Sequence, residues 1–185
     1  MKDINDYIRV TDVLFPFSGL KNIPTQILQN AAERGTKVHE ICDAIINNIG
    51  FCDIEERFKG YIESFNRFFI NKDFIQKPER FFCENYKITG ECDAIYKDKD
   101  GLVLVDIKTS ASEGKTWNLQ GSAYSSLAKA EGYDIKRIEF VKLCKAGKEP
   151  KVFLYEENFD TFLKCLEIYK LFFKDQSEEN ILEYM

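Results

Sequence analysis

The chain of 185 residues is 44% hydrophobic and 14% aromatic, which suffices for one sizeable core and predicts a single domain. Its formal net charge of −5 argues against a simple basic clamp for nucleic acid, and its apolar runs are far too short to cross a membrane. Six dispersed Cys with a single His argue against a zinc site, and the opening residues lack the apolar core of a signal peptide, so we expect a cytoplasmic protein with reduced thiols.

The N-terminal part, residues 1–78, is predicted to be helical. Residues 7–16 form a short apolar opening that we expect to be a loop or short helix packed on the core. After Pro24, apolar residues recur at helical spacing as far as residues 34–36. A second helical stripe then begins at Val38 and is closed by Gly50.

An aromatic stripe predicts the next helix. Asp53 with Glu56 is a plausible N-cap arrangement, and the apolar residues that follow recur at helical spacing. The stripe is expected to be core, and its members are Phe58, Tyr61, Ile62, Phe65, Phe68 and Phe69.

The sheet is predicted to begin after Pro78. Residues 79–88 indicate a first strand, and residues 94–97 and 102–108 indicate the arms of an antiparallel hairpin around a polar turn that ends in Gly101. Residues 102–105 are apolar on both faces, which is typical of a central strand. The hairpin brings Asp93 near Asp106 at one end of the sheet.

A helix is predicted from Thr116 to Gly132, followed by strands over residues 138–143 and 152–155 and a closing helix from Phe159. Residues 176–185 are an acidic tail. The chain is therefore predicted to be one α/β domain spanning 1–185, with a central mixed sheet and flanking helices formed by residues 79–175.

Charge is distributed unevenly along the chain. Between Lys108 and Lys151 there are 9 Lys and Arg against 5 Asp and Glu, a local excess of +4. A basic face on an acidic body is one interpretation, and ordinary surface solubility is the other.

The hairpin also carries the candidate chemistry. Asp93 and Asp106 offer two carboxylates, and Lys108 shares a strand face with Asp106 because side chains alternate along a strand. This combination suits a hard divalent cation and a water molecule to be activated. The alternative is a hairpin whose polar residues face solvent.

Four segments in this order resemble the PD-(D/E)XK nuclease superfamily, and within it the RecB-type exonuclease domains common in phages. The segments are Gly35-Thr36-Lys37-Val38-His39, Gly90-Glu91-Cys92-Asp93, Asp106-Ile107-Lys108-Thr109-Ser110 and Gln120-x-x-x-Tyr124. The resemblance covers most of the chain and implies a restriction-endonuclease-like core. Cys92 stands where the family usually has Pro.

The resemblance implies a role for each matching residue. His39, Asp93, Asp106 and the Ile107 carbonyl would hold Mg²⁺ or Mn²⁺, and Lys108 would assist the attacking water. The residues implied to face DNA are Thr109, Ser110, Gln120 and Tyr124. Glu79 would be a supporting acid, with Glu84 as a competing assignment.

The implied function is a metal-dependent DNA nuclease, of exonuclease type, that acts in recombination, repair or phage DNA metabolism. Its partners would be DNA and recombination or replication proteins. Some relatives hold an iron–sulfur cluster with four Cys, but Cys144 and Cys165 stand alone here, so none is expected. The rival hypotheses are a nuclease fold that binds DNA or protein without cutting, and an interaction protein whose acids are only surface charges.

Overall fold

The computed structural model describes residues 3–50 and 53–174, and shows an α/β protein in which mixed sheets are flanked by helices. The predicted acidic tail lies outside the described residues. The strands are β1 (Ile8–Arg9), β2 (Asp73–Ile75), β3 (Phe81–Cys83), β4 (Ile88–Gly90), β5 (Ala94–Asp98), β6 (Gly101–Lys108), β7 (Ile135–Lys142) and β8 (Lys151–Tyr155). The helices are α1 (Val10–Ser18), α2 (Thr25–Ile46), α3 (Glu56–Phe69), α4 (Trp117–Ala130) and α5 (Phe159–Phe172).

The main sheet has the strand order β2-β5-β6-β7-β8. The predicted hairpin is confirmed, since β5 and β6 pair antiparallel with Ala94 opposite Val105. Strand β7 then joins β6 in parallel, with Lys142 beside Lys108, and β8 pairs antiparallel with β7. The apolar strand β6 is therefore central, as its sequence predicts.

Each face of the main sheet carries its own core, because alternate residues of a strand point to opposite faces. Leu104 of β6 packs in the core that α1, α4 and α5 complete. Val103 and Val105 pack instead with residues of α2 and α3. Asp106 and Lys108 continue the alternation of Leu104, so they lie on the face that α4 covers.

The N-terminal part, which was predicted to be helical, contains the strands β1 and β2 and differs from its prediction in helices α2 and α3 as well. Residues 25–46 form one continuous helix, α2, although a break was expected at Gly35. A single Gly costs a helix only about 1 kcal/mol relative to Ala, and packing of the helix outweighs that cost. The predicted cap at Asp53 is wrong, because α3 begins at Glu56 and its capping position, Glu55, makes no side-chain capping bond.

The single strand predicted over residues 79–88 is also wrong. Two short strands, β3 and β4, pair antiparallel there and form a second sheet with β1. The chain can turn between them because Lys87 adopts a left-handed conformation with φ of 53°. The main sheet gains an unpredicted edge strand, β2. The segment from Gly90 to Asp93 therefore carries the chain from the small sheet into the main one.

No helix among residues 3–50 and 53–174 has both the length and the apolar character needed to cross a membrane.

Candidate active site

The candidate active site lies where β5 begins and β6 ends. The Asp93 backbone N–H donates to the Val105 carbonyl at 3.1 Å, which places Asp93 alongside the Asp106 end of β6. Asp106 is 4% exposed. The hairpin register thus sets two acids side by side at one end of the sheet.

Asp93 is held from two sides. Its Oδ1 lies 2.7 Å from His39 Nδ1, although His39 is 54 residues away on α2, and its Oδ2 accepts a hydrogen bond from the Ile107 backbone N–H. Helix α2 packs on the opposite face of the sheet from α4. His39 of α2 contacts Asp93 at the end of the sheet, where β5 begins.

Opposing effects set the charge of this pair. Burial by itself would lower the pKa of His39, but the adjacent Asp93 carboxylate outweighs it and the net pKa is raised. Burial likewise opposes ionisation of Asp93, yet the imidazole charge and the hydrogen bonds from His39 and Ile107 leave its pKa lowered. The pair is thereby stabilised as an imidazolium beside a carboxylate.

Asp106 differs from Asp93 in that its pKa is raised and not lowered. Burial raises its pKa to about 6, with the Lys108 ammonium opposing that rise. Lys108 Nζ lies 2.6 Å from Asp106 Oδ2, so this buried oxygen forms an ion pair with the ammonium.

Lys108 is oriented by a short polar chain from α4. Its Nζ donates to Gln120 Oε1 at 3.1 Å, and Gln120 Nε2 donates to the Tyr124 hydroxyl at 2.9 Å. Tyr124 is 4% exposed, and burial raises the pKa of its hydroxyl well above the ordinary value. Tyr124, which the resemblance implies faces DNA, is therefore buried, whereas Gln120 is half-buried and engaged at both ends.

Two close approaches bring α4 against the sheets. A Cβ on Gly90 would lie 2.6 Å from Tyr124 Cε1, and a Cβ on Gly121 would lie 2.5 Å from Ile138 Cγ2. Only glycine permits this packing. The helix therefore sits close enough to the sheet for Gln120 to reach Lys108.

The remaining candidates lie around this centre. Thr109 is half-buried, and Ser110 is exposed with its hydroxyl bonded to the Ser112 carbonyl at 2.8 Å. Glu79 is exposed. Glu84 is exposed too, and it binds Lys87 at 2.9 Å and the Tyr7 hydroxyl.

Arg34 is a residue that the sequence reasoning did not assign. It precedes Gly35, at which a Cβ would lie 4.0 Å from Thr109 Oγ1, so this part of α2 passes the end of β6. The Arg34 Nε is buried without a hydrogen-bond partner among the described residues. The only sequence signal for it was its place in the segment that leads to His39.

The donor types at this site suit a hard divalent cation: two carboxylates, an imidazole and the backbone of β6. As the side chains stand, no three His, Cys, Asp or Glu within residues 3–50 and 53–174 are grouped to hold a metal ion. The Asp93 oxygens are taken by His39 and Ile107, and Asp106 Oδ2 lies 2.6 Å from the Lys108 ammonium. The types of ligand atom at this site therefore suit a divalent cation. To bind it, the side chains of His39 and Asp93 would have to turn toward it.

Replacing Tyr124 tests its structural role. Tyr124→Ala is expected to lower the free energy of unfolding by about 3–5 kcal/mol, because it empties a buried aromatic site. Tyr124→Phe removes only the acceptor of the Gln120 amide and is expected to cost about 1 kcal/mol. Denaturant unfolding of both variants measures this, and a Tyr124→Ala protein as stable as wild type would contradict the packing described.

The fold and site together define the class of protein: an α/β protein with a buried acid and a lysine at the end of a central hairpin, consistent with a restriction-endonuclease-like core. No family model matches the chain, and a comparison with curated proteins finds no match.

Solved structures resemble this chain at low identity. One, described as "Putative exonuclease" from Eubacterium rectale, is 15% identical with a TM-score of 0.49, over 90% of this chain and 78% of that one. An alkaline exonuclease from Laribacter hongkongensis is 12% identical with a TM-score of 0.43, over 94% of both chains. The protein SSO0001 is 16% identical with a TM-score of 0.44, over 94% of this chain and 79% of that one.

Proposed function

We propose that this protein is a divalent-metal-dependent DNA nuclease of exonuclease type, acting in DNA recombination, repair or phage DNA metabolism. The observation that carries the proposal is the pairing of a buried carboxylate, Asp106, with the Lys108 ammonium 2.6 Å away. Burying a charged pair costs free energy that apolar residues would not, so such a pair at a sheet end is better explained by chemistry than by stability.

Asp106, Asp93, His39 and the Ile107 carbonyl would hold Mg²⁺ or Mn²⁺. Such a cation neutralises charge on the phosphate and lowers the pKa of a bound water. Asp106 supplies a buried carboxylate oxygen. Asp93 orients the imidazole of His39 through the hydrogen bond between its Oδ1 and Nδ1 of the ring. Since metal ligands must be deprotonated, binding would release the proton that His39 and Asp93 share.

Lys108 acts on the substrate side of this arrangement. Its ammonium would stabilise the negative charge that develops on the phosphodiester, or orient the attacking water. Gln120 holds the ammonium in place, and Tyr124 holds Gln120. Gln120 is in this account a positioning residue for Lys108, rather than a DNA contact.

A cleavage assay with end-labelled linear DNA and covalently closed circular DNA tests the proposal. We expect wild-type protein to shorten the linear DNA from its ends in Mg²⁺ or Mn²⁺, to spare the circle, and to stop in EDTA. Cutting of the circle would replace the exonuclease by an endonuclease. Failure to cut DNA or RNA in any divalent metal would overturn the nuclease proposal and favour a binding module.

A further inference from the structure

Two exposed lysines project from the turn between β7 and β8. We call residues 144–148 the lysine turn; it contains Lys145 and Lys148. Neither side chain has an ion pair or hydrogen bond with a described residue, unlike Lys59 and Lys87, which pair with Glu56 and Glu84. The lysine turn thus presents two ammonium groups that have no ion-pair partner among the described residues.

The lysine turn lies at the same end of the sheet as the candidate active site. The Leu143 N–H donates to the Lys108 carbonyl at 2.8 Å, so the turn starts directly beside Lys108. Two further residues of extended chain limit the distance between the Lys145 and Lys108 Cα atoms to about 14 Å. Measured along the axis of duplex DNA, one strand carries a phosphate about every 3.4 Å, so this limit corresponds to at most roughly four phosphates.

Contacts with α3 hold the lysine turn in one conformation. The Cys144 N–H donates to Ser64 Oγ at 2.9 Å, and Arg67 Nε donates to the Gly147 carbonyl at 2.8 Å. A Cβ on Gly60 would lie 1.8 Å from the Lys145 carbonyl oxygen, so the helix backbone itself abuts the turn. Helix, strand end and turn form one rigid unit.

Gly147 and the neighbouring charges support this arrangement. Gly147 has φ of 70°, and a Cβ there would lie 2.1 Å from Glu63 Oε2. Hydrogen bonds from the Ala146 and Lys148 backbone N–H groups lower the pKa of the Cys144 thiol, with a smaller contribution from the Lys148 and Lys142 ammonium groups. Acids are present as well: the Glu63 carboxylate lies beside Gly147, and Glu149 pairs with Arg67 at 3.5 Å.

We propose that the lysine turn binds the sugar–phosphate backbone of DNA a few nucleotides from the phosphodiester that is cut. This inference rests on the proposed nuclease function. Lysines held on a rigid turn lose less conformational freedom on binding than lysines on a mobile loop, which strengthens each phosphate contact. Contacts of this kind position the strand without reading its sequence.

The test compares two pairs of lysines that change the net charge equally. Lys145→Ala with Lys148→Ala removes the charges of the lysine turn. Lys99→Ala with Lys136→Ala removes two exposed charges at the opposite end of β6. Binding of a fluorescein-labelled DNA 20-mer, single- or double-stranded, is measured by anisotropy in EDTA over a range of salt concentrations.

We expect the first pair to weaken binding and to reduce the slope of log K against log salt by about 1.4–1.8, since each lost phosphate contact removes about 0.7–0.9. Between 1 M and 0.1 M salt this amounts to roughly eightfold per contact on duplex DNA. The control pair is expected to bind like wild type. Equal losses in both pairs would indicate a general charge effect and overturn the inference.

Gly60→Ala changes the position of the lysine turn without changing its charge. It keeps every lysine but forces the Lys145 carbonyl away from α3, so we expect weaker DNA binding in a protein that is still folded by circular dichroism. If the folded variant binds like wild type, rigidity of the turn is irrelevant and that part of the inference is wrong. If Gly60→Ala unfolds the protein, the lysine pairs decide alone.

The two proposals fail in different ways. Wild-type protein that cuts DNA, together with an unaffected Lys145 and Lys148 variant, would leave the nuclease standing and refute the lysine turn. Wild-type protein that binds DNA through the lysine turn but never cuts would refute the nuclease and leave the DNA contact of the lysine turn standing. Protein that binds no DNA would refute the lysine turn whatever the cleavage result.

Discussion

Lys108→Ala is expected to lower DNA cleavage in Mg²⁺ or Mn²⁺ by about 10²–10⁴-fold while the fold and most metal binding remain. The ammonium lies 2.6 Å from Asp106 and is fixed by Gln120, so it is placed to act on a phosphate or water at the same point. A charged ammonium has no lone pair and cannot be a metal ligand, which is why the cation should stay.

Single-turnover cleavage rates, Mn²⁺ calorimetry and thermal unfolding check this prediction on one protein preparation. Lys142→Ala is the matched control, because Lys142 lies beside Lys108 in the register of β6 and β7 and its Nζ bonds the Ala111 carbonyl at 2.9 Å. We expect that control to retain most activity. A Lys108→Ala protein with unimpaired cleavage would refute the catalytic role.

Asp106→Asn is expected to abolish both metal binding and cleavage, and Asp106→Ala should do the same. The amide keeps the shape of the side chain but removes the negative charge that a divalent cation requires. Calorimetric titration with Mn²⁺ and the cleavage assay measure the two losses together. Retention of tight, saturable Mn²⁺ binding in Asp106→Asn would show that the cation site lies elsewhere.

Although Asp106→Asn is expected to abolish activity, it is not expected to lower the stability of the protein at pH 8. Burial raises the Asp106 pKa from 3.8 to about 6, so the unfolded chain releases this proton at lower pH than the folded protein. The stability contributed by the protonated folded form is therefore present below about pH 4 and is lost as pH rises through about 6. In EDTA at pH 8, Asp106→Asn should unfold at the same temperature as wild type or higher.

A comparison of the two proteins in EDTA at pH 4.5 and pH 8 isolates this effect. The stability of Asp106→Asn relative to wild type should increase with pH, because only wild type must bury a charge at the higher pH. A relative stability that falls with pH would mean that the ion pair with Lys108 outweighs the burial of Asp106.

Local pattern alone determined the centre of this site. The polar turn and the two-residue period of β6 specify a hairpin in which Asp93 and Asp106 share one end and Lys108 shares a face with Asp106. The mixed α/β fold follows from the order of the periodic segments. These features depend on neighbours within about fifteen residues of chain, which sequence periodicity reports directly.

Only the tertiary structure decided what surrounds that centre. Periodicity shows which residues share a face of an element, but not which other element covers that face. Contact of His39 with Asp93, burial of Tyr124 against Gly90 and the seating of the Lys145 carbonyl on Gly60 all join distant segments. Each depends on how closely two backbones approach, which is set by packing of the whole core and not by local propensity.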